Sequence, residues 1–307
     1  MLPAIGEYSC LTPWRTAGSG SARWCIGCLG VERFFIKQFL SPVYPAHPDT
    51  PLGLKQLARC QAFEKQKRTL YAALSCVIGG VLVPVIDFFR YDGRYYSVSE
   101  ALPDSCVAAE DGGLLPREQR RNVLLDLALC LQRLHRQGVV HGDLKPEHVL
   151  LCPEGDGFRT RLIDLDSGFL TGHPPREIRD MEGDPAYLSP EMFISMMGEK
   201  ATLGPGVDTF AFAMMIHKLW TGELPGFDHS RYDYLYQAVL DGGTVTLSPD
   251  LPQEWQAAMQ AMLDKDPARR PADGDITRLF EKSPESLPRT AVPANGLRRF
   301  MRSGGSI

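Results

Sequence analysis

The amino-acid sequence lacks a long hydrophobic run. No stretch of about 18 apolar residues occurs, which is the length that a membrane-spanning helix needs. The longest candidate, residues 76–89, is interrupted by Gly79, Pro84 and Asp87. The start of the chain also lacks the basic segment and the apolar segment of a signal peptide. The sequence therefore predicts a protein without a membrane span, located in the cytoplasm.

An excess of charge of one sign is missing as well. The chain has 33 Lys and Arg residues against 37 Asp and Glu residues, for a net charge of −4. This balance gives no reason to expect nucleic acid or a membrane surface as a partner. The 307 residues, 44% of them hydrophobic, are enough for two lobes with separate cores.

The cysteines do not form the pattern of a small disulfide-rich domain. Eight of them are scattered over the chain, which predicts a reducing compartment. Two residues separate Cys25 from Cys28, but no second pair of cysteines or histidines follows at the spacing of a zinc site. They lie in a β-rich run, so we interpret them as part of a strand.

Residues 140–151 hold the clearest chemical pattern in the chain. They read Val-His-Gly-Asp-Leu-Lys-Pro-Glu-His-Val-Leu-Leu. A carboxylate at Asp143 can orient a hydroxyl and accept its proton, and an ammonium at Lys145 can neutralise a phosphoryl group in transfer. The segment resembles the catalytic loop H-R-D-L-K-P-x-N of eukaryotic-type protein kinases. The resemblance implies a catalytic role for Asp143 and Lys145.

A second acidic segment, Arg161 to Gly168, resembles the kinase D-F-G segment. The resemblance makes Asp164 the ligand of Mg²⁺, while Leu165 and Asp166 depart from the family pattern. His148 stands where the family has a metal-binding asparagine, and imidazole suits Mn²⁺ better than Mg²⁺. We therefore expect ATP with Mg²⁺, or with Mn²⁺ as the alternative metal.

The catalytic loop departs from the family pattern at one further position. Gly142 replaces the arginine that binds the phosphorylated activation loop in many kinases. Phosphorylation of that loop is therefore not expected to be the main switch of this chain.

The first hundred residues resemble the ATP-binding lobe of these kinases. A glycine turn with Gly18 and Gly20 resembles the glycine-rich loop, and Lys37 lies in a β-rich run that resembles the V-A-I-K strand. A helix is expected from about residue 54 to residue 74, after a proline-rich loop over 41–53. On it Glu64 is the predicted ion-pair partner of Lys37. Glu100 and Leu102 are predicted to belong to the adenine-binding hinge.

A predicted helix comes first in the chain, and three later segments resemble kinase motifs in family order. A helix is predicted from Pro116 towards Gly138, because its leucines recur on one face. The segment that ends at Glu191 and the turn that ends in Arg270 and Pro271 imply a buried ion pair between Glu191 and Arg270. Asp208 is open to two compatible interpretations, a brace of the catalytic-loop backbone or a plain helix N-cap.

Together these motifs imply an α+β, two-lobed protein kinase fold. The predicted ranges are 1–102 for the small β-rich lobe, 103–281 for the larger helical lobe and 282–307 for a flexible tail. The implied function is transfer of the ATP γ-phosphoryl group to serine or threonine hydroxyls of a protein substrate. Two alternatives remain: a pseudokinase scaffold that binds nucleotide without turnover, and a small-molecule phosphotransferase of the aminoglycoside and choline kinase type.

The loosely kept motifs are similar to those of bacterial eukaryotic-like kinases. Some of these kinases work beside a phosphatase and a von Willebrand A-type protein, which the resemblance makes candidate partners here.

Overall fold

The computed structural model describes residues 4–17, 20–74, 80–109, 115–155, 157–175, 181 and 183–281. The chain divides into two compact units. The first consists of Met1–Ile78 and Val83–Asp104, and the second of Gly79–Leu82 and Ser105–Ile307. The boundary at Asp104 lies close to the predicted boundary at residue 102. The predicted tail, residues 282–307, lies outside the described residues.

An antiparallel sheet of seven strands forms the first unit. Its main path runs β1-β2-β4-β5-β7-β6, and β3 pairs with β4. The strands are β1 Ala4–Ile5, β2 Tyr8–Cys10, β3 Arg15–Thr16, β4 Ala22–Leu29, β5 Glu32–Phe39, β6 Val85–Tyr91 and β7 Arg94–Glu100. The predicted strand over Cys25 and Cys28 is confirmed, since both lie in β4.

A tight turn at Asp92 and Gly93 joins β6 to β7. Asp92 and Gly93 have φ angles of 46° and 68°. Two successive residues with positive φ form the tight turn that matches the twist of the flanking strands. This connection fixes the register of β7, which lies beside β5 in the sheet.

The long helix of this unit, α1 Pro51–Leu74, begins earlier than predicted. The proline-rich loop was expected to run to residue 53, but proline suits the first helical position because its missing N–H is not needed there. One face of the sheet packs against α1 through a cluster of Phe39, Cys60, Phe88 and Tyr95. The helix therefore covers the sheet face from which the side chains of Phe39 and Tyr95 project.

The opposite face of the sheet is covered by its own first strands. Tyr8 of β2 lies over Phe34 and Phe89, with ring centroids 5.6 and 5.8 Å away. Its hydroxyl donates to Asp87 Oδ2 at 3.0 Å. Burial and this hydrogen bond raise the pKa of Tyr8 to about 12. Both faces of the sheet are thus packed with aromatic side chains.

Helices dominate the second unit. They are α2 Arg117–Arg136, α3 Pro190–Met196, α4 Gly206–Thr221, α5 Leu235–Leu240, α6 Gln253–Met262 and α7 Asp273–Glu281. The predicted amphipathic helix is confirmed as α2, whose leucines at 124, 127, 131 and 134 are buried. The α4 helix is buried on nearly all sides, because its sequence is apolar nearly all round. These helices provide the frame for the loop after α2.

Two small sheets lie beside the helices. One has the order β11-β10-β8 and the other pairs β12 with β9. The strands are β8 Val107–Ala108, β9 Val139–Val140, β10 Val149–Glu154, β11 Gly157–Leu162 and β12 Phe169–Leu170. The segments that carry Asp143 and Asp164 therefore connect short strands, which hold both ends of each segment.

A disulfide joins Cys106 to Cys152, and their Cα atoms are 4.1 Å apart. The scattered cysteines were expected to stay reduced, so this bond departs from the expectation. The antiparallel pairing of Leu151 with Val107 explains it, because the same register sets Cys152 directly opposite Cys106. In the described part of the chain, no helix is both long and apolar enough to cross a membrane.

Candidate active site

The catalytic-loop segment enters the site from β9 and leaves it through β10. Gly142 has a φ angle of +80°. A Cβ atom at this position would lie 2.6 Å from the carbonyl oxygen of Ser167. Glycine is therefore required here, because a side chain would collide with the segment that follows Asp164.

Asp208 holds this loop by its backbone. Its carboxylate accepts hydrogen bonds from the N–H groups of His141 at 2.7 Å and Gly142 at 2.9 Å. Asp208 lies in the first turn of α4 and is fully buried. Of its two interpretations, the structure thus shows the brace of the catalytic loop.

His135 was not singled out from the sequence, but it completes this brace. Its Nε2 lies 2.9 Å from Asp208 Oδ2, and its Nδ1 lies 2.8 Å from Asp273 Oδ1. Burial alone would lower the pKa of His135, but the two carboxylates raise it to about 9. His135 is therefore an imidazolium that joins α2, α4 and α7.

The pKa of Asp208 responds to the same contacts. Burial would raise it, but the hydrogen bond and charge of His135 and the donated backbone N–H groups outweigh burial and lower it. Asp208 is consequently a carboxylate at neutral pH. A charged acceptor makes stronger hydrogen bonds to the loop than a neutral one would.

His141 ties the loop to the segment that carries Asp164. Its Nε2 lies 3.2 Å from the Ile163 carbonyl oxygen, and the Asp143 N–H faces its Nδ1 at 3.4 Å. Burial lowers the pKa of His141. The neutral ring can donate through Nε2 and accept through Nδ1, which fits both contacts.

Asp143 has both carboxylate oxygens engaged. Oδ1 accepts the backbone N–H of Asp184 at 3.0 Å, and Oδ2 lies 3.1 Å from Lys145 Nζ. The side chains of Asp143 and Lys145 are 14% and 20% exposed, so solvent reaches both groups. The structure therefore places the two predicted catalytic residues in direct contact. The role of Asp184 in positioning Asp143 was not predicted.

The predicted metal ligands lie next to this pair. His148 Nδ1 is 2.8 Å from the carbonyl oxygen of Asp143 and donates to it. In the neutral ring Nε2 then carries the lone pair, and this atom lies 3.7 Å from Asp164 Oδ2. Asp164 has a φ angle of +64°, a strained conformation typical of functional positions.

The donor set of Asp164 and His148 fits a divalent cation held by few protein ligands. No group of three or more metal-ligating side chains occurs among the described residues. Mg²⁺ and similar ions are commonly bound by one or two carboxylates, with water and substrate phosphates as the other ligands. The imidazole nitrogen beside Asp164 extends that set to metals that accept nitrogen.

The predicted nucleotide residues lie in the first unit. Gly18 lies outside the described residues. Gly20 has a φ angle of +72°, and its N–H donates to Ala17 in the turn between β3 and β4. Lys37 lies on β5 and is buried. Glu100 is the last residue of β7, opposite Phe34 of β5, and Leu102 follows it, half-buried.

Glu64 has partners other than the one predicted for it. One oxygen of its carboxylate accepts from Arg68 Nε at 2.9 Å, and the other lies 3.5 Å from the Tyr95 hydroxyl. The predicted Lys37–Glu64 ion pair stays a prediction. Lys67, about one turn further along α1, is buried as well, and no role was predicted for it.

Comparison with known proteins decides the family. The family model described as protein kinase domain matches residues 54–282, most of the chain. The chain belongs to the protein kinase family. This confirms the family predicted from the motifs, whose members use ATP and a divalent metal.

Curated relatives are serine/threonine kinases and similar proteins. One is the hormonally up-regulated neu tumor-associated kinase homolog B of Xenopus laevis, 27% identical over 62% of this chain and 30% of the relative. Another is the probable serine/threonine-protein kinase MARK-A of Dictyostelium discoideum, 32% identical over 52% of this chain and 14% of the relative. The serine/threonine-protein kinase SMU1 of Mycosarcoma maydis is 28% identical over 69% of this chain and 28% of the relative. The chain thus spans less than a third of each.

A solved structure confirms the predicted fold. The kinase domain of Mycobacterium tuberculosis PknI, in a double-mutant form, has a TM-score of 0.60 and 15% identity to this chain. The match covers 91% of this chain and 96% of the other. The fold is therefore that of a protein kinase, with an antiparallel sheet in the N-terminal lobe and helices in the C-terminal lobe.

Proposed function

We propose that this chain is a serine/threonine protein kinase, which transfers the γ-phosphoryl group of ATP to a protein hydroxyl. The observation that carries the proposal is the contact set of Asp143. One oxygen accepts a backbone N–H, the other faces Lys145, and the predicted metal ligands Asp164 and His148 are adjacent.

The fixed carboxylate of Asp143 defines the acceptor side of the reaction. Asp143 orients the substrate hydroxyl and takes its proton as the oxygen bonds to the γ-phosphorus and ADP leaves. Lys145 neutralises negative charge on the phosphoryl group during the transfer. A divalent metal, when bound, neutralises the phosphate oxygens, and Asp164 and His148 are the residues that would hold it. Lys37 would neutralise the non-transferred phosphates.

The side chain of Lys145 supports a protein substrate rather than a small alcohol. The lysine two positions after the catalytic aspartate and the Glu191–Arg270 ion pair belong to the protein kinase pattern and not to that of the aminoglycoside and choline kinases. Arg270 Nη1 and Nη2 lie 2.6 and 2.8 Å from the two Glu191 oxygens. This bidentate pair joins α3 to the turn before α7.

Transfer of labelled γ-phosphate to the protein itself and to a basic protein substrate tests the proposal. We expect label with the wild-type chain and none with Asp143→Asn or Asp164→Ala. Asp233→Asn, an exposed position before α5, is the matched control and should keep wild-type transfer. Nucleotide binding with no transfer would favour the pseudokinase. Phosphorylation of a small alcohol but of no protein would favour the small-molecule phosphotransferase.

The choice of metal tests His148. We expect Mn²⁺ to support transfer better than Mg²⁺, because an imidazole ligand binds Mn²⁺ more readily. The variant His148→Asn should reverse this order. An unchanged ratio of the two rates in the variant would remove His148 from the metal site.

The cellular setting stays a prediction from the sequence. We expect a cytoplasmic kinase of bacterial type, for which a phosphatase and a von Willebrand A-type protein are the candidate partners. Copurification with the tagged chain would test that pairing.

A further inference from the structure

Cys106 lies near the start of the second unit, and its disulfide partner lies on a strand that leads out of the candidate active site. The main part of this unit begins at Ser105. Cys152 belongs to β10, which begins at Val149, the residue after His148. The disulfide therefore joins the first residues of this part to the strand that follows a predicted metal ligand.

The strand that follows Cys106 lies against the same part of the site. This strand, β8, pairs with β10 and lies beside the 3-10 turn Pro146–His148. Directly after β8, the N–H of Ala109 donates to the carbonyl oxygen of Val149 at 2.8 Å. A bond that holds β8 in place therefore also supports the backbone around His148.

Apart from the disulfide, few contacts of the backbone hold β8 in its sheet. The strand has two residues, both half-buried, and it lies at the end of the order β11-β10-β8. The other neighbour of β10 is β11, which pairs with all six residues of β10. The disulfide thus cross-links the weaker side of this sheet, where local opening costs the least free energy.

The two cysteines differ in their exposure. Cys106 is half-buried, whereas Cys152 is 7% exposed. Thiol–disulfide exchange depends on access to a sulfur atom of the bond, so Cys106 is the cysteine that a reductant would reach. Disulfides are rare in a reducing compartment, which is the setting predicted for this chain, and those that do form there are usually transient and redox-sensing.

We propose that the Cys106–Cys152 disulfide is a reversible redox switch of the kinase. In the oxidised chain the bond holds β8 beside the turn that carries His148, and this is the more active form. In the reduced chain β8 separates from β10, and the backbone around His148 loses that support. The inference rests on the proposed kinase function, because it concerns the metal site of that function.

The switch is a thiol–disulfide exchange with a dithiol reductant. One thiolate of the dithiol attacks the Cys106 sulfur, the bond to Cys152 breaks, and Cys152 leaves as a thiolate that takes up a proton. The second thiolate of the dithiol then attacks the mixed disulfide and releases Cys106, which also takes up a proton. The protein gains two electrons and two protons, and the dithiol becomes a disulfide. The reverse exchange with an oxidised dithiol closes the bond again.

Transfer of labelled γ-phosphate by the full chain, before and after reduction with dithiothreitol, tests the inference. Alkylation of the thiols and peptide mass spectrometry would measure how many chains have the bond closed. We expect reduction to slow transfer by about tenfold, which is typical for the loss of a support behind a metal ligand. Reoxidation should restore the rate. Cys106→Ser should transfer at the reduced rate, with or without dithiothreitol.

Amide hydrogen exchange provides a readout that does not depend on activity. The N–H of Ala109 and the backbone N–H groups around His148 should exchange about tenfold faster in the reduced chain, because β8 opens. The N–H groups in the middle of α2 should exchange at the same rate in both forms. A chain that transfers no phosphate in either form would refute the proposed kinase function. The exchange at Ala109 would still decide whether the bond controls β8.

Cys28→Ser is the matched control, since Cys28 is a half-buried free cysteine of β4. It should keep the wild-type rate and the wild-type response to dithiothreitol. Equal transfer by the oxidised and the reduced wild type would overturn the inference. A bond that dithiothreitol cannot open in the folded chain would overturn it too, because the disulfide would then be a permanent cross-link. A response that persists in Cys106→Ser would assign the redox effect to another cysteine.

Discussion

Each of the two units of the chain is stabilised internally by a different kind of contact. In the first unit aromatic rings pack on both faces of the sheet, as in the clusters around Tyr8 and Phe39. In the second unit the loop that carries Asp143 is fixed by buried charges, above all Asp208 and His135. Apolar packing has little directional preference, whereas charge-assisted hydrogen bonds fix distances and angles.

This difference follows from what each part must hold in place. Backbone hydrogen bonds between neighbouring strands already order a sheet, so its side chains need only exclude water. The catalytic loop has few backbone partners of its own, and its N–H groups at His141 and Gly142 depend on the carboxylate of Asp208. We therefore expect the loss of a single polar group to cost far more in the second unit than in the first.

The largest effect is expected from Asp208→Ala. The substitution leaves two buried backbone N–H groups and the Nε2–H of His135 without their acceptor, which costs roughly 4 to 5 kcal/mol. Urea unfolding would measure this loss, and phosphate transfer should disappear with it. Asp275→Asn, in an exposed pair with Arg278, is the control. A stable, active Asp208→Ala chain would contradict the brace.

The next effect concerns the ion pair between Arg270 and Glu191, whose side chains are 1% and 5% exposed. Arg270→Met leaves the Glu191 carboxylate buried without its partner and should lower the free energy of unfolding by roughly 3 to 4 kcal/mol. The double variant with Glu191→Met should recover much of that loss, because it removes the unpaired charge. No recovery in the double variant would show that the pair acts through packing alone.

Stability should also fall as the pH rises above neutrality. The pKa of His135 is about 9 in the folded chain, against about 6.5 in an unfolded one. Its contribution is fully present below pH 6.5 and is lost as the pH rises through 9, by about 3 kcal/mol in total. Unfolding of the wild type and of His135→Gln across this range would measure the difference between them.

The exposed His229 provides the control for this pH dependence. His229→Gln should keep the slope of the wild type between pH 6.5 and 9. His135 contacts the carboxylates of Asp208 and Asp273 through its two ring nitrogens. A slope that survives in His135→Gln would assign the effect to another residue.

Motifs in the sequence predicted the parts of the site that lie close together in the chain. Asp143, Lys145 and His148 fall within six residues, so one loop brings them together. The Glu191–Arg270 pair was predicted because both ends lie in recognisable motifs. The contact of His135 with Asp273 spans 138 residues, and no local pattern marks either residue. Such a contact arises only when α2 and α7 pack.

The burial of Lys67 and the Cys106–Cys152 disulfide were not predicted, for related reasons. Charge and position along the chain can be read from the sequence, whereas the rotation of α1 about its axis decides which of its side chains are buried. Because a lysine is polar, the sequence does not indicate that Lys67 shares the buried face of α1 with Cys60, Leu70 and Leu74. Cys106 and Cys152 are 46 residues apart, and only the register of β8 and β10 makes them neighbours.

The smallest effect is expected from Tyr8→Phe in the first unit. The substitution removes the hydrogen bond to Asp87 but keeps the ring on Phe34 and Phe89, so the loss should be about 1 kcal/mol. Tyr91→Phe, at an exposed position, is the control in the same urea unfolding experiment. A loss as large as that of Asp208→Ala would mean that the sheet, like the catalytic loop, depends on single polar contacts. A loss near 1 kcal/mol would show that its packed rings bear most of the stability.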